Sequence, residues 1–385
     1  MGRTSGFRLH PALYEGEGVV KCDPEQAFPG VTLISGAWRE KDDWHLGVRL
    51  FGLDGEVLHQ WQIDPKDVWQ KSLHDDSYAG SYNKKTKTYI HGTLLLPNGD
   101  IVFNLEFFGL VKMNSNSEIV WRLPYRTHHS IFEDSDGNFW VCRCKCREGR
   151  DPEYVGIRPP FYEEMILQVS RKGVVKREIS LIEVIFKSGY DGLLRMRSGD
   201  ILHLNDVEVL SDQKAPSFDL FQAGDIMVSM RHINTVFVID GKTERIKWSL
   251  THPFFSQHDP DFTEDGHITV FDNHSDYAPG QYQGQGSRII RIEPSTKKVT
   301  ILYGWKENQH FFTEIGGIHQ NLPNGNMLIT ESTAARVFEV TADGQVVWSW
   351  ISPRWKNDTV PEIYDGIRYG VEFAGFLSGL RKDEK

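Results

Sequence analysis

Five of the chain's 15 histidines recur at one place in a repeated phrase: His91, His128 or its neighbour His129, His203, His258 and His319. An unperturbed imidazole titrates near ~6.5, so close to neutral pH it can attack, accept a proton or give one up. Residues of a second kind stand near two of them. His203-Leu-Asn205 is followed by Met230-Arg231-His232-Ile-Asn234, and then by Gln257-His258-Asp259. A guanidinium offers a planar fork of N–H donors and an amide adds another, a set that suits an oxyanion. This grouping points to chemistry on an anionic group. Any single histidine here is as well explained as a framework residue bonded to a neighbouring repeat. Five in register change the balance, because a ring of buried imidazoles is costly to leave unpaired. Metal chemistry fits less well. HExxH and two-His-one-carboxylate spacings are absent, and a cation beside Arg231 would be repelled. No metal or cofactor is expected.

The repeat itself is what would bring these residues together. One copy runs from His91 through the Asn98-Gly99 turn to Trp121, and another from His128-His129 through Asp136-Gly137 to Glu178. A third opens at His203 and closes at Trp248, a fourth opens at His258 and closes near Tyr303, and a fifth opens at His319 and closes at Trp348. A partial copy at the front comprises residues 31–35, 46–53 and 55–61. Each unit has ~35–55 residues, four short alternating strands and tight Gly turns, as a β-propeller blade requires. Helical spacing is nearly absent, apart from weak stretches near residues 65–73 and 178–187. The expected fold is an all-β, six-bladed propeller in one domain, residues 30–376, with an N-terminal extension (1–29) and a C-terminal tail (377–385). The front copy lacks its innermost strand, and an open edge invites aggregation. The apolar segment 368–376 is therefore expected to return beside Val31–Ser35 and close the ring. Blade-opening residues then line one central channel.

Composition narrows the class of partner. At 44.2 kDa, with 39% hydrophobic and 25% charged residues, the chain reads as an ordinary globular protein. No apolar run approaches the ~20 residues of a membrane-spanning helix. A net charge of −10 disfavours nucleic acid and anionic membranes as partners. Cys142, Cys144 and Cys146 alternate along one apparent strand and, with Cys22, are expected to stay unbridged. The N-terminus has no apolar core of a signal peptide, so the chain as given reads as cytoplasmic.

At His203-x-Asn205, at Arg231 before Asn234-Thr-Val-Phe-Val-Ile239, and at Gln257-His258, the chain resembles the arylsulfate sulfotransferase family over about residues 30–353. That resemblance implies a six-bladed propeller with its active site in the central channel. It implies nucleotide-independent, metal-independent, ping-pong transfer of a sulfo group from an aryl sulfate ester to a phenol. His258 would be the nucleophile, and His203, Arg231 and Asn205 would complete the catalytic set. His128 or His129 would be a further channel histidine; His91 and His319 lie outside the matched motif, and their blade-opening register places them in the channel beside the substrate. Family members belong to the cell envelope, and the resemblance leaves a homodimer open.

Two other readings use the same residues. One is a hydrolase or lyase acting on a small aromatic or anionic substrate in the channel; the other is a propeller that binds a ligand without chemistry. Structural roles compete at single positions. Arg231 would pair with Asp259 or Asp272, Asn205 would cap a strand break, and His232 and His252 lie outside the register. Aromatic partners for an aryl ring are sought in Glu106-Phe107-Phe108 and Tyr277.

Overall fold

Paired apolar strands joined by glycine turns leave each hairpin two faces to bury, and in a propeller both are covered by neighbouring blades. The computed structural model describes residues 8–40, 43–69, 88–275, 286–356 and 358–378, and among them the chain forms six radial antiparallel sheets. The turns work as their sequence demands: Gly137 and Gly325 sit at φ 75° and 84°, where a side chain would be strained. Five blades open on Ile90–Leu95, Thr127–Glu133, Leu204–Val209, His258–Phe262 and Ile318–Asn321, and each sheet then follows chain order outward.

The remaining blade closes the ring. Its innermost strand is Gly366–Gly370, paired antiparallel with the start of Gly30–Glu40, so that Ile34 faces Gly366 and Gly30 faces Gly370. The closing strand therefore begins two residues before Arg368 and ends six before Phe376. Val371–Ala374 turn as a 3₁₀ segment, and Phe376 reaches the edge of the His59 ring (5.3 Å). Residues ahead of Gly30 also join the ring. Gly18–Cys22 is a fifth, outer strand on the sixth blade, and Leu9–Pro11 pairs with Thr359–Pro361.

Adjacent blades are latched by the closing tryptophans. Trp61 Nε1 donates to Gly99 O, Trp121 to Arg171 O, Trp248 to Pro294 O and Trp348 to Leu53 O, at 2.8–3.2 Å. Each bond runs from the outer strand of one blade to a turn of the next. The last one joins the sixth blade to the first. Two short helices interrupt the strands, Pro65–Val68 and Leu181–Lys187, capped by Asp64 and Ser180. All four cysteines are free thiols, and Cys142 and Cys144 are packed in the strand Phe139–Arg147. No described helix is long and apolar enough to cross a membrane.

Candidate active site in the central channel

Four successive blades break the register of their innermost strand. Shifts fall between Ile90 and Thr93, His128 and Ile131, Leu204 and Asp206, and His258 and Asp261. A bulge re-aims the side chains it carries. The first residues inside these shifts are His91, His129, Asn205 and Asp259, and all four line one cavity of about 160 Å³ on the axis. Backbone crowding fixes the spacing: a Cβ on Gly92 would lie 1.9 Å from His129 O of the next blade.

His258 also lines that cavity, and its support defines its chemistry. Its Nδ1 lies 2.7 Å from Asn273 Oδ1 and 3.0 Å from Ser256 O. Asn273 cannot present its nitrogen instead, because Nδ2 donates to Thr313 O and Gly316 O at 3.0 and 2.7 Å. Both acceptors demand a proton on His258 Nδ1. Nε2 is left with its lone pair. Burial, then the charge of Arg231, push this imidazole well below its usual range, so the ring is neutral.

His128 and His129 divide the roles that the sequence left open between them. His129 faces the cavity, with its ring 4.3 Å from His91 and 5.0 Å from His203. His128 lies behind it, with Nε2 3.1 Å from Glu164 Oε2 and Nδ1 2.8 Å from His129 Nδ1. Burial opposes a charge on His128, yet Glu164 prevails and raises it. When His128 is protonated it donates both N–H groups, and His129 then accepts at Nδ1 and carries its own proton on Nε2. Burial and the surrounding imidazoles push His129 well below the usual range and keep it neutral.

Arg231 starts a 3₁₀ turn, Arg231–Ile233, that ends on Asn234 in the left-handed region (φ 49°). Asn234 Oδ1 accepts the Ser256 N–H at 2.8 Å, which ties this turn to the approach of His258. Burial pulls the guanidinium down to about 10, against the favourable charges of Asp200 and Glu314. Asp272 binds Arg288 at 2.7 Å, and Asp259 binds His319 at 2.8 Å. His203 Nδ1 closely contacts Asp200 Oδ2, while His232 stacks at 4.5 Å from His203 and bonds Asp200 O. His232 thus backs the cluster from outside the register, whereas His252 is exposed.

Asn205 is not a simple turn residue. It sits in the bulge of Leu204–Val209, where Nδ2 donates to Gln257 O at 2.7 Å and buried Oδ1 has no hydrogen-bond partner. One of its two N–H donors is engaged by Gln257, so only the second is left for an anion. Gln257 itself clasps the fourth blade, donating toward Ser229 Oγ, Met230 O and Thr235 O.

His319 lies among carboxylates: Nδ1 is 2.8 Å from Asp259 Oδ2, and Nε2 is 3.6 Å from Asp261 Oδ2. Asp206 and Glu208 line the same stretch of cavity. Tyr364, its ring 4.3 Å from His91, lines the cavity, as does Phe132. Phe107 packs on His128 instead, and Phe108 joins the core between the first two blades. Tyr277 lies outside the described residues. Asn273, Glu164, Asp200 and Tyr364 are the site residues that motif reading missed. None opens a blade, and each is supplied from a loop or another strand.

Residues 92–353 match the profile of the arylsulfotransferase (ASST) family. Among solved structures, a protein of unknown function from Bacteroides caccae is 14% identical with a TM-score of 0.53, covering 89% of this chain and 100% of that one. A catalytically inactive virginiamycin B lyase from Staphylococcus aureus with quinupristin is 11% identical with a TM-score of 0.46, covering 91% and 90%. A Dos1 propeller is 8% identical with a TM-score of 0.44, covering 91% and 76%. No curated protein matches by sequence.

Proposed function

The chain belongs to the arylsulfotransferase family, and on that premise we propose that it moves a sulfo group from an aryl sulfate ester to a phenol through a sulfo-histidine at His258. One observation carries the reading. His258 Nδ1 is held by Asn273 Oδ1 and Ser256 O, so Nε2 offers a lone pair inside the cavity.

In the first half-reaction, Nε2 attacks sulfur, and the S–O bond to the aryl oxygen breaks with its electron pair leaving on the phenolate. Arg231 bonds the equatorial sulfo oxygens, which carry most of the charge in such a transfer. His129 gives its Nε2 proton to the departing oxygen as its Nδ1 takes the Nδ1 proton of a protonated His128, so no imidazolate forms and a leaving group whose pKa is near ~10 departs as the phenol. His203, braced by Asp200, supplies a further donor, as does the second N–H of Asn205. An acceptor phenol then reverses the sequence: His129 Nε2 takes its proton and returns the Nδ1 proton to His128, the phenol oxygen attacks sulfur, and the N–S electron pair returns to His258.

The test is incubation with p-nitrophenyl sulfate, with and without a second phenol, followed by intact-mass analysis. Transfer predicts phenol-stimulated nitrophenol release and one added sulfo group per chain, both lost in His258→Ala. Release insensitive to added phenol would assign a hydrolase. Neither nitrophenol nor adduct would refute chemistry at this site.

A further inference from the structure

The cavity that would receive an anion is acidic at one stretch of its wall. Asp206, Glu208, Asp259 and Asp261, from the innermost strands of the fourth and fifth blades, all line it. Partners within the protein account for only part of this charge. Glu208 accepts from Lys214 Nζ at 2.9 Å and from the Phe262 N–H at 2.6 Å. Asp259 Oδ2 accepts both the backbone N–H and Nδ1–H of His319, at 2.5 and 2.8 Å.

That second bond places the proton of a neutral His319 on Nδ1 and aims the Nε2 lone pair at Asp261. His319 is 4% exposed, and its buried Nε2 has no hydrogen-bond partner. The separation from Nε2 to Asp261 Oδ2, 3.6 Å, is too long for a hydrogen bond. It is close to the ~3.4 Å that separates two donors each ~2.1 Å from one tetrahedral cation. Ligand atoms of Asp259, Asp261 and His319 all lie within 4.8 Å of one another. A carboxylate bonded to the far nitrogen of a ligating imidazole is also the usual way such a ring is oriented toward a metal.

We propose that Asp261 and His319 bind a divalent cation on the channel wall, with Asp259 orienting the imidazole from its far nitrogen. One imidazole among carboxylates suits Mn²⁺ or Zn²⁺. Among the described residues two other groups have comparable spacing, His91–Glu106–His129 and Asp200–His203–His232. The charges of Arg8 and Arg231 act on those groups and oppose a cation there. At the His319 site the cation offsets the repulsion that the acidic wall exerts on an anionic substrate. The proposal does not depend on the sulfo-histidine step, because its readout is metal binding.

The experiment is titration of the chelator-stripped full chain with Mn²⁺, followed by electron paramagnetic resonance, with Zn²⁺ in competition. One Mn²⁺ per chain is expected, with nitrogen coupling from one histidine, displaced by Zn²⁺. Asp261→Asn and His319→Gln are each expected to weaken binding at least tenfold, with folding checked by circular dichroism. No stoichiometric binding by the unsubstituted chain would overturn the proposal. So would bound Mn²⁺ lacking nitrogen coupling, or affinity unchanged in both variants, which would put the cation elsewhere. If neither variant folds, the nitrogen coupling in the unsubstituted chain decides.

Discussion

Asn273 Oδ1 sits 2.7 Å from His258 Nδ1, while the nitrogen of the same amide is held by the carbonyls of Thr313 and Gly316. A side chain wholly buried at the end of one strand thereby decides which nitrogen of a histidine fifteen residues earlier carries the proton. Replacing Asn273 with Leu removes the acceptor but leaves His258 in place. Such an orienting contact is worth ~10–100-fold. We expect kcat for nitrophenol release to fall by about that factor with KM nearly unchanged, as steady-state kinetics would show. A rise in KM at constant kcat would contradict the positioning role.

Arg231 is the guanidinium assigned to the sulfo oxygens. Arg231→Lys keeps a positive charge but loses the planar fork. Losing one such contact to a transition-state anion costs ~10²–10³-fold in kcat. Arg231→Lys is therefore expected to lose about two orders of magnitude in sulfo-adduct formation, followed by rapid-quench mass analysis. Wild-type rates in this variant would remove Arg231 from the mechanism.

Asp200 sets an acid limit on stability. Burial works against its charge, but the imidazoles of His203 and His232 hold its carboxyl down at about 2. A carboxyl depressed on folding stabilises the protein above its unfolded value of ~3.9, and that contribution disappears as pH falls toward the folded value. Asp200→Asn should therefore be less stable than the native chain at pH 5, and the gap should close between pH ~4 and ~2. Denaturant midpoints at these pH values would show it. A gap that persists at low pH would mean the loss is one of packing.

Trp348 latches the sixth blade to the first. Its Nε1 donates to Leu53 O at 2.8 Å, and the Arg368 guanidinium lies 4.6 Å from its ring, over the aromatic face. Trp348→Ala is expected to cost ~3–5 kcal/mol as a buried large-to-small change. Trp348→Phe, which keeps most of the apolar volume, should cost ~1–3 kcal/mol by leaving the Leu53 carbonyl unpaired. Thermal unfolding would rank them, and equal losses would argue against the indole N–H as a latch.

Much of this was legible in the chain. Asn-Gly and Asp-Gly turns, alternating strands and a closing tryptophan recur because each blade solves the same local problem, so the propeller and its blade-opening histidines follow from pattern. The ring closure was readable too, since a first blade without an inner strand has to borrow one. Its register was not: the closing strand is Gly366–Gly370, and a strand can slide by two residues without changing which side chains face the core. Nor could the pattern separate His128 from His129. Which one enters the cavity depends on where the strand bulges, and a bulge is set by contacts with Cys142 and Val141 on the neighbouring strand.

The amino-acid sequence alone therefore determined the repeat, the six-fold ring and the blade-opening imidazoles and amide that line its cavity, because local turn chemistry and alternation act within one blade. The tertiary structure alone decided the protonation and aim of those groups. Asn273 orients His258, Glu164 favours a proton on His128, Asp259 turns His319, and each partner reaches its histidine through the folded sheet or from a neighbouring blade. Hydrogen-bond direction in a buried site is a property of the whole neighbourhood, and no single segment of the chain contains it.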